Sequence, residues 1–128
     1  MIDPMPNKTI TVLIADDHRL FAEALEAILA SEPEIRVVGR ARNGEEAVEQ
    51  ALALEPDVIL MDIAMPVVDG VEATRRIRQK QRHACVLMLT GSNARTDVAR
   101  AREAGAAAYV TKDRIAAQLI DAIRELAA

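Results

Sequence analysis

The sequence is poor in aromatic residues, because Phe21 and Tyr109 are the only two among 128 residues and tryptophan is absent. Proteins that bind single-stranded nucleic acid by base stacking need several aromatic faces. This composition therefore argues against that class of function. It also predicts a core built mainly from aliphatic side chains.

Cysteine is nearly absent as well. Cys85 is the only one, so the chain cannot form an internal disulfide. This usage fits the reducing cytoplasm. Cys85 lies in an apolar run, and we expect its thiol to be an inert part of the core.

Long apolar runs and a basic charge excess are also missing. No run approaches the roughly 18 to 20 residues of a membrane-spanning helix, and the N-terminal letters MIDPMPNK lack a signal-peptide pattern. We therefore expect a cytoplasmic protein without membrane contact, with residues 1–8 as a disordered lead-in. The formal net charge of -4 does not attract phosphate backbones, so nucleic acid is not the expected partner of this domain.

Apolar runs and amphipathic segments alternate along the rest of the chain. Strands separated by helices indicate a parallel sheet with right-handed crossovers and helices on both faces. The pattern thus predicts one doubly wound α/β domain over residues 9–128. The expected strands are 10–15, 35–40, 57–62, 84–89 and 108–110, and the expected helices are 18–30, 44–54, 70–80, 93–104 and 113–127.

Polar side chains follow four of the five predicted strands. Asp16 and Asp17 follow the first, Asp62 ends the third, Thr90 follows the fourth and Lys112 follows the fifth. Ligands of open α/β sheets bind outside the carboxyl ends of the strands, where these residues are expected to meet. Three neighbouring carboxylates repel one another unless a cation such as Mg²⁺ lies between them. Together with an ammonium and a hydroxyl, they describe a phosphoryl-accepting site.

Four motifs carry a family resemblance: VLIADDH at 12–18, PDVILMDIAMPVVDG at 56–70, LMLTGS at 87–92 and AGAAAYVTKD at 104–113. In this order and spacing they resemble the response-regulator receiver domains of two-component signalling. The chain looks closest to the subgroup usually fused to a LuxR-type helix-turn-helix output domain. The resemblance implies a flavodoxin-like fold with five helices and a sheet of strand order 2-1-3-4-5.

The resemblance also assigns roles around Mg²⁺. It implies that Asp62 accepts a phosphoryl group from a histidine kinase. Asp16, Asp17, Asp62 and the backbone carbonyl of Ala64 would hold the metal ion. The only enzymatic activity implied is the domain's own phosphorylation and dephosphorylation.

Three further residues gain roles from the same resemblance. Thr90 and Lys112 would bind the acyl phosphate once it forms. Thr90 and Tyr109 would act as the switch, with Tyr109 turning inward when Thr90 moves. The changed surface would regulate an output, with transcription as the expected one.

Two alternatives on association stay open. Helices 18–30 and 113–127 carry apolar faces wider than a contact with the sheet requires. They either pack on each other or form a homodimer through the paired surface. Any contact with DNA would need an output domain outside this chain. The chain itself is expected to be either a stand-alone receiver or part of a longer regulator.

The acidic residues are also compatible with two other functions. A Mg²⁺-dependent phosphatase with an aspartate nucleophile is the enzymatic competitor, and an interaction scaffold independent of phosphorylation is the third. His18 follows the acidic pair directly. We expect it to be exposed in the first turn of helix 18–30 rather than to bind metal, and we expect His83 to lie in a loop.

Overall fold

The computed structural model describes residues 9–91 and 95–128, so the predicted lead-in 1–8 and Ser92 of the third motif lie outside the described residues. Five strands alternate with five helices, as the sequence predicts. The strands are β1 (Ile10–Ala15), β2 (Ile35–Ala41), β3 (Val58–Asp62), β4 (Val86–Thr90) and β5 (Ala108–Thr111). The helices are α1 (Arg19–Ala30), α2 (Gly44–Leu54), α3 (Gly70–Lys80), α4 (Arg95–Ala104) and α5 (Ile115–Ala127).

Among the described residues, most predicted boundaries are within one residue of the observed ones, and the two larger differences are at the start of β4 and at the start of the last helix. β4 starts at Val86 rather than at Ala84, because the Ala84 amide donates to the Gln81 carbonyl (3.0 Å) and closes a turn there. The predicted last helix begins with a 3-10 turn over Lys112–Arg114 before α5 starts. That turn directly follows β5, so Lys112 stays at the carboxyl edge of the sheet.

The five strands form one parallel sheet in the order β2-β1-β3-β4-β5, which confirms the expected topology. Consecutive strands β2 and β3 are not neighbours, because β1 lies between them. The chain adds β2 on one side of β1 and then adds β3, β4 and β5 on the other side, so the direction in which strands are added reverses between β1 and β3. In doubly wound sheets, this switch point is where ligands bind.

Two apolar clusters cover the two faces of the sheet. Successive β1 residues alternate between them, with Val12 and Ile14 packed toward α1 and α5, and Leu13 toward α2 and α3. Fully burying one such aliphatic side chain stabilises a fold by about 1.5–3 kcal/mol. Among the described helices, none is both long and apolar enough to cross a bilayer.

A close backbone approach joins the start of α3 to the end of β3. The Gly70 amide donates to the Ile63 carbonyl (3.0 Å). A Cβ atom built on Gly70 would lie 2.1 Å from the Asp62 carbonyl oxygen and 2.9 Å from the Ile63 Cα. Only glycine fits this contact, so the backbone of Asp62 is tied to the first turn of α3.

Candidate metal centre at the carboxyl edge of the sheet

Three carboxylates and one imidazole converge where β1 and β3 end. Asp16, Asp17, His18 and Asp62 each offer a ligand atom, and these atoms all lie within 4.8 Å of one another. The convergence follows from the strand order, because the pairing of Ala15 with Met61 brings the ends of the two strands side by side. Asp16 and Asp62 are buried, whereas Asp17 is partly open to solvent.

Lys112 supplies the positive charge of the cluster. Its Nζ lies 3.4 Å from Asp16 Oδ2 and 3.5 Å from Asp62 Oδ1. The same ammonium lies 4.3 Å from the centre of the Phe21 ring. A cation over an aromatic face contributes about 0.5–2 kcal/mol, depending on how far it is removed from water. The ring and the two carboxylates together restrain the lysine at the edge of the sheet.

Phe21 is a residue of this site that sequence reasoning did not find. It is the only phenylalanine, and it lies in the first turn of α1, which begins directly after the acidic pair. Its position in that turn is the signal that could have found it. Apolar periodicity alone assigned Phe21 to the packed face of the helix, where its ring is indeed partly buried.

Asp62 is the least compensated of the acids. Burial raises the pKa of Asp62, and the negative charge of Asp16 raises it further, while Lys112 and the Ala64 amide act in the opposite direction. The Ala64 amide lies 3.4 Å from Asp62 Oδ1. Asp62 Oδ2 is buried and has no hydrogen-bond partner within residues 9–91 and 95–128.

This donor set fits a hard divalent cation. A buried carboxylate oxygen without a partner costs about 1–3 kcal/mol, and a cation at that point would remove the cost. Mg²⁺ prefers oxygen ligands and is commonly held by one or two carboxylates plus water. The cluster of Asp16, Asp17 and Asp62 offers such oxygens at one end of the sheet.

The two remaining predicted site residues, Thr90 and Tyr109, lie in different surroundings. Thr90 is buried at the end of β4, and the register pairs it with Thr111, next to Lys112. Tyr109 is 41% exposed, and its side chain lines a surface groove with Arg114 and Gln118. The structure therefore brings Thr90 to the same edge as the acids, whereas Tyr109 lies on the outer surface.

His18 is exposed, as expected, with 67% of its side chain open to solvent. It is the N-cap residue of α1, and its backbone amide donates to Asp16 Oδ1 (2.8 Å). Its imidazole nevertheless faces the acids, because Nδ1 lies 3.3 Å from Asp16 Oδ1 and 3.3 Å from Asp17 Oδ1. Helical periodicity did not predict this orientation, since the N-cap residue has extended rather than helical backbone angles.

An open groove lies beside the metal centre. It has a volume of about 500 Å³, and Asp17 and Ala64 line it on the side of the acids. Arg100 of α4 lines the other side, where its guanidinium lies 3.6 Å from Asp69 Oδ2. The groove leaves Asp17 accessible to a molecule that approaches from solvent.

Comparison with known proteins places this geometry in a family. The family model described as the response regulator receiver domain matches residues 12–124. The transcriptional regulatory protein DegU of Brevibacillus brevis is 42% identical over 127 residues. The match includes 99% of this chain and 54% of that relative, so the chain spans about half the length of DegU.

Two solved structures show the same fold. A LuxR-family two-component response regulator from Aurantimonas sp. matches with a TM-score of 0.89 and 33% identity, over 94% of this chain and 86% of that one. The CheX-CheY-BeF3-Mg²⁺ complex from Borrelia burgdorferi matches with a TM-score of 0.86 and 26% identity, over 93% of this chain and 90% of that one. The relatives thus include regulators of the LuxR family, as the sequence motifs indicate.

Proposed function

Because the chain belongs to the response regulator receiver domain family, we propose that it is a phosphorylation-switched receiver whose acceptor is Asp62. The observation that carries this proposal is the buried Oδ2 of Asp62, which has no hydrogen-bond partner among the described residues and lies beside two further carboxylates and the Lys112 ammonium. The donor is a phosphohistidine of a histidine kinase. The CheX-CheY-BeF3-Mg²⁺ complex is a relative that supports the same chemistry.

Asp62 is the nucleophile in the proposed transfer. One of its carboxylate oxygens attacks the phosphorus atom, and a P–O bond forms while the P–N bond of the phosphohistidine breaks. The electron pair of the broken bond stays on the ring nitrogen that held the phosphorus, and the imidazole leaves as a neutral ring because its other nitrogen carries a proton. The open groove beside Asp17 and Ala64 gives the donor a route to the acceptor.

Charge neutralisation is the main electrostatic requirement of this transfer. Asp16, Asp17, Asp62 and the Ala64 carbonyl would hold Mg²⁺, which when bound neutralises charge on the transferring oxygens. Lys112 contacts the acceptor in the unphosphorylated state, so it is in place to pair with the new phosphoryl group. The Phe21 ring and Asp16 keep the ammonium there during the reaction.

Thr90 and Tyr109 transmit the change in this proposal. The buried Thr90 hydroxyl binds a phosphoryl oxygen at the adjacent strand end, and Tyr109 turns inward from its exposed position on β5. The equilibrium between the two surfaces then shifts toward the one that partners prefer. In the cytoplasm, an output domain outside this chain would convert the change into regulation of transcription, as the name of DegU suggests for that relative.

Phosphorylation is tested by the mass of the intact protein after incubation with acetyl phosphate and Mg²⁺. The wild-type chain is expected to gain one phosphoryl group, and Asp62→Asn to gain none, because the amide is not a nucleophile for this transfer. Asp57→Asn is the matched control, since Asp57 is exposed before β3, at the end of the strand opposite to Asp62, and it should be labelled like the wild type. Equal labelling of Asp62→Asn would refute the acceptor assignment.

Intact mass together with a measurement of released phosphate separates the competing functions. A phosphatase would release phosphate from an ester at a steady rate after the first turnover, whereas a receiver is labelled once per chain. A scaffold independent of phosphorylation would show no labelling of the wild type. As a receiver, the chain would have no activity other than its own phosphorylation and dephosphorylation.

We further propose that two copies associate through α1 and α5. Both helices pack on one apolar cluster, which accounts for the partly buried Phe21, Ile28 and Ile120. Leu20 on α1 remains 80% exposed and is the residue that a second copy would cover. Burial of a leucine side chain at such a contact contributes about 1.5–3 kcal/mol.

Sedimentation before and after phosphorylation tests this association. The wild type is expected to dimerise, and Leu20→Glu is expected to weaken the dimer by at least tenfold, because the substitution places a charge in the contact. Since Leu20 is exposed, the fold should be unaffected. A wild-type chain that stays monomeric in both states excludes the dimer.

A further inference from the structure

The imidazole of His18 faces the metal centre and has no role in the proposed phosphoryl transfer. We propose that His18 is a nitrogen ligand of this centre, by which the site binds first-row transition ions such as Co²⁺ and Mn²⁺ in preference to Mg²⁺. This inference rests on the metal site of the proposed function. It adds to that site a residue which determines which ion is bound.

The distances fit a shared ion. Two ligand atoms at adjacent corners of an octahedral ion, each about 2.1 Å from it, are about 3 Å apart. His18 Nδ1 lies 3.3 Å from one carboxylate oxygen of Asp16 and 3.3 Å from one of Asp17. All the ligand atoms, including that of Asp62, lie within 4.8 Å of one another, so only small side-chain rotations separate them from a common centre.

The backbone holds His18 in position. Its amide donates to Asp16 Oδ1, and the residue caps α1 without using its side chain for the cap. The imidazole is therefore not engaged in holding the helix end. Because most of the ring is exposed, turning it toward an ion does not disrupt the core.

A second observation points to an ion at the same place. Asp62 Oδ2, within this cluster, is buried and has no hydrogen-bond partner within the described ranges 9–91 and 95–128. A cation would satisfy this oxygen, and a neutral imidazole would complete the coordination without adding a fourth negative charge. The charge balance of three carboxylates and Lys112 therefore favours a neutral fourth ligand.

The chemistry of the donor decides which ions benefit. Mg²⁺ prefers oxygen ligands and retains its bound water, so an imidazole adds little to its binding. Imidazole suits the later first-row transition ions, whose affinity for mixed nitrogen and oxygen sites rises along the series from Mn²⁺. His18 is thus expected to change the ratio of affinities more than the affinity for Mg²⁺.

Isothermal titration of the full chain with Co²⁺ and with Mg²⁺ tests the proposal. For His18→Ala we expect the dissociation constant for Co²⁺ to rise about tenfold or more, with the constant for Mg²⁺ changed less than about twofold. His83→Ala is the matched control, because the only other histidine is exposed in the loop before β4, at the opposite edge of the sheet. It should change neither constant.

Nuclear magnetic resonance gives a second test of His18 as a ligand, in a protein that keeps His18. Co²⁺ should move the ring-proton signals of a bound histidine far outside the ordinary range by contact through the coordination bond, and should leave the other histidine, which His83→Ala identifies as His83, without such a shift. Equal losses of Co²⁺ and Mg²⁺ affinity in His18→Ala, or the absence of contact-shifted ring protons in the Co²⁺-loaded wild type, would overturn His18 as a ligand. A wild-type chain that binds neither ion would instead refute the metal site of the proposed function.

Discussion

Replacing Gly70 by alanine is expected to destabilise the fold by about 3 kcal/mol and to abolish labelling of Asp62. The added Cβ would lie 2.1 Å from the Asp62 carbonyl oxygen, and both groups belong to backbone that is held by the hydrogen bond between Gly70 and Ile63. A flexible side chain could rotate away from such a contact, but a paired strand end cannot. The clash between the added Cβ and the Asp62 carbonyl can therefore be removed only if α3 shifts away from β3. This shift displaces the acceptor carboxylate as well.

Gly91→Ala is the matched control for this substitution. A Cβ on Gly91 meets no atom within 4 Å in the described part of the chain, so we expect a change within about 0.5 kcal/mol. Urea denaturation measures both free energies of unfolding, and intact mass measures the labelling. A Gly70→Ala chain as stable as Gly91→Ala would mean that the first turn of α3 can move without cost.

Asp62→Asn is expected to raise the free energy of unfolding by about 1–3 kcal/mol at pH 7 in the absence of divalent ions. The substitution removes a buried charge that lies near Asp16 and whose Oδ2 has no hydrogen-bond partner within residues 9–91 and 95–128. The cause that raises the pKa of Asp62 also sets the sign of the pH dependence. The protonated carboxyl of Asp62 stabilises the fold below the ordinary pKa of aspartate. This contribution is lost as pH rises through the higher pKa that Asp62 has in the folded state.

The advantage of Asp62→Asn should therefore shrink as pH falls and widen as pH rises through the pKa of Asp62 in the folded chain. Asp57→Asn serves as the control, because Asp57 is exposed and accepts bonds from the Thr11 amide (2.8 Å) and hydroxyl (3.0 Å). It should not become more stable. A less stable Asp62→Asn chain at pH 7 would contradict the view that this carboxylate is strained by burial.

Magnesium should reverse the order of the two proteins. An ion that binds only the folded state stabilises it by about 2.7 kcal/mol at a concentration one hundred times its dissociation constant. The wild type is expected to gain this amount, whereas Asp62→Asn, which lacks one of the charged ligands, is expected to gain much less. Thermal unfolding with and without Mg²⁺ would reveal the crossing.

The strand order and the meeting of the acids could be predicted because they depend on pattern. Strands buried on both faces give unbroken apolar runs, and residues after parallel strands share one edge. The start of β4 could not be predicted, since the run ACVLML continues through the turn that Ala84 closes. Side-chain direction was also beyond the sequence, as the ring of Phe21 under Lys112 and the imidazole of His18 over the acids depend on tertiary positions.

The near absence of aromatic residues has an optical consequence. Because the protein has no tryptophan and a single tyrosine, its intrinsic fluorescence comes almost entirely from the ring of Tyr109. This ring is partly exposed to solvent on the outer side of β5. A change in the surroundings of that one ring would alter the brightness of the whole sample. The chain thus carries its own unlabelled fluorescent reporter on the strand that precedes Lys112.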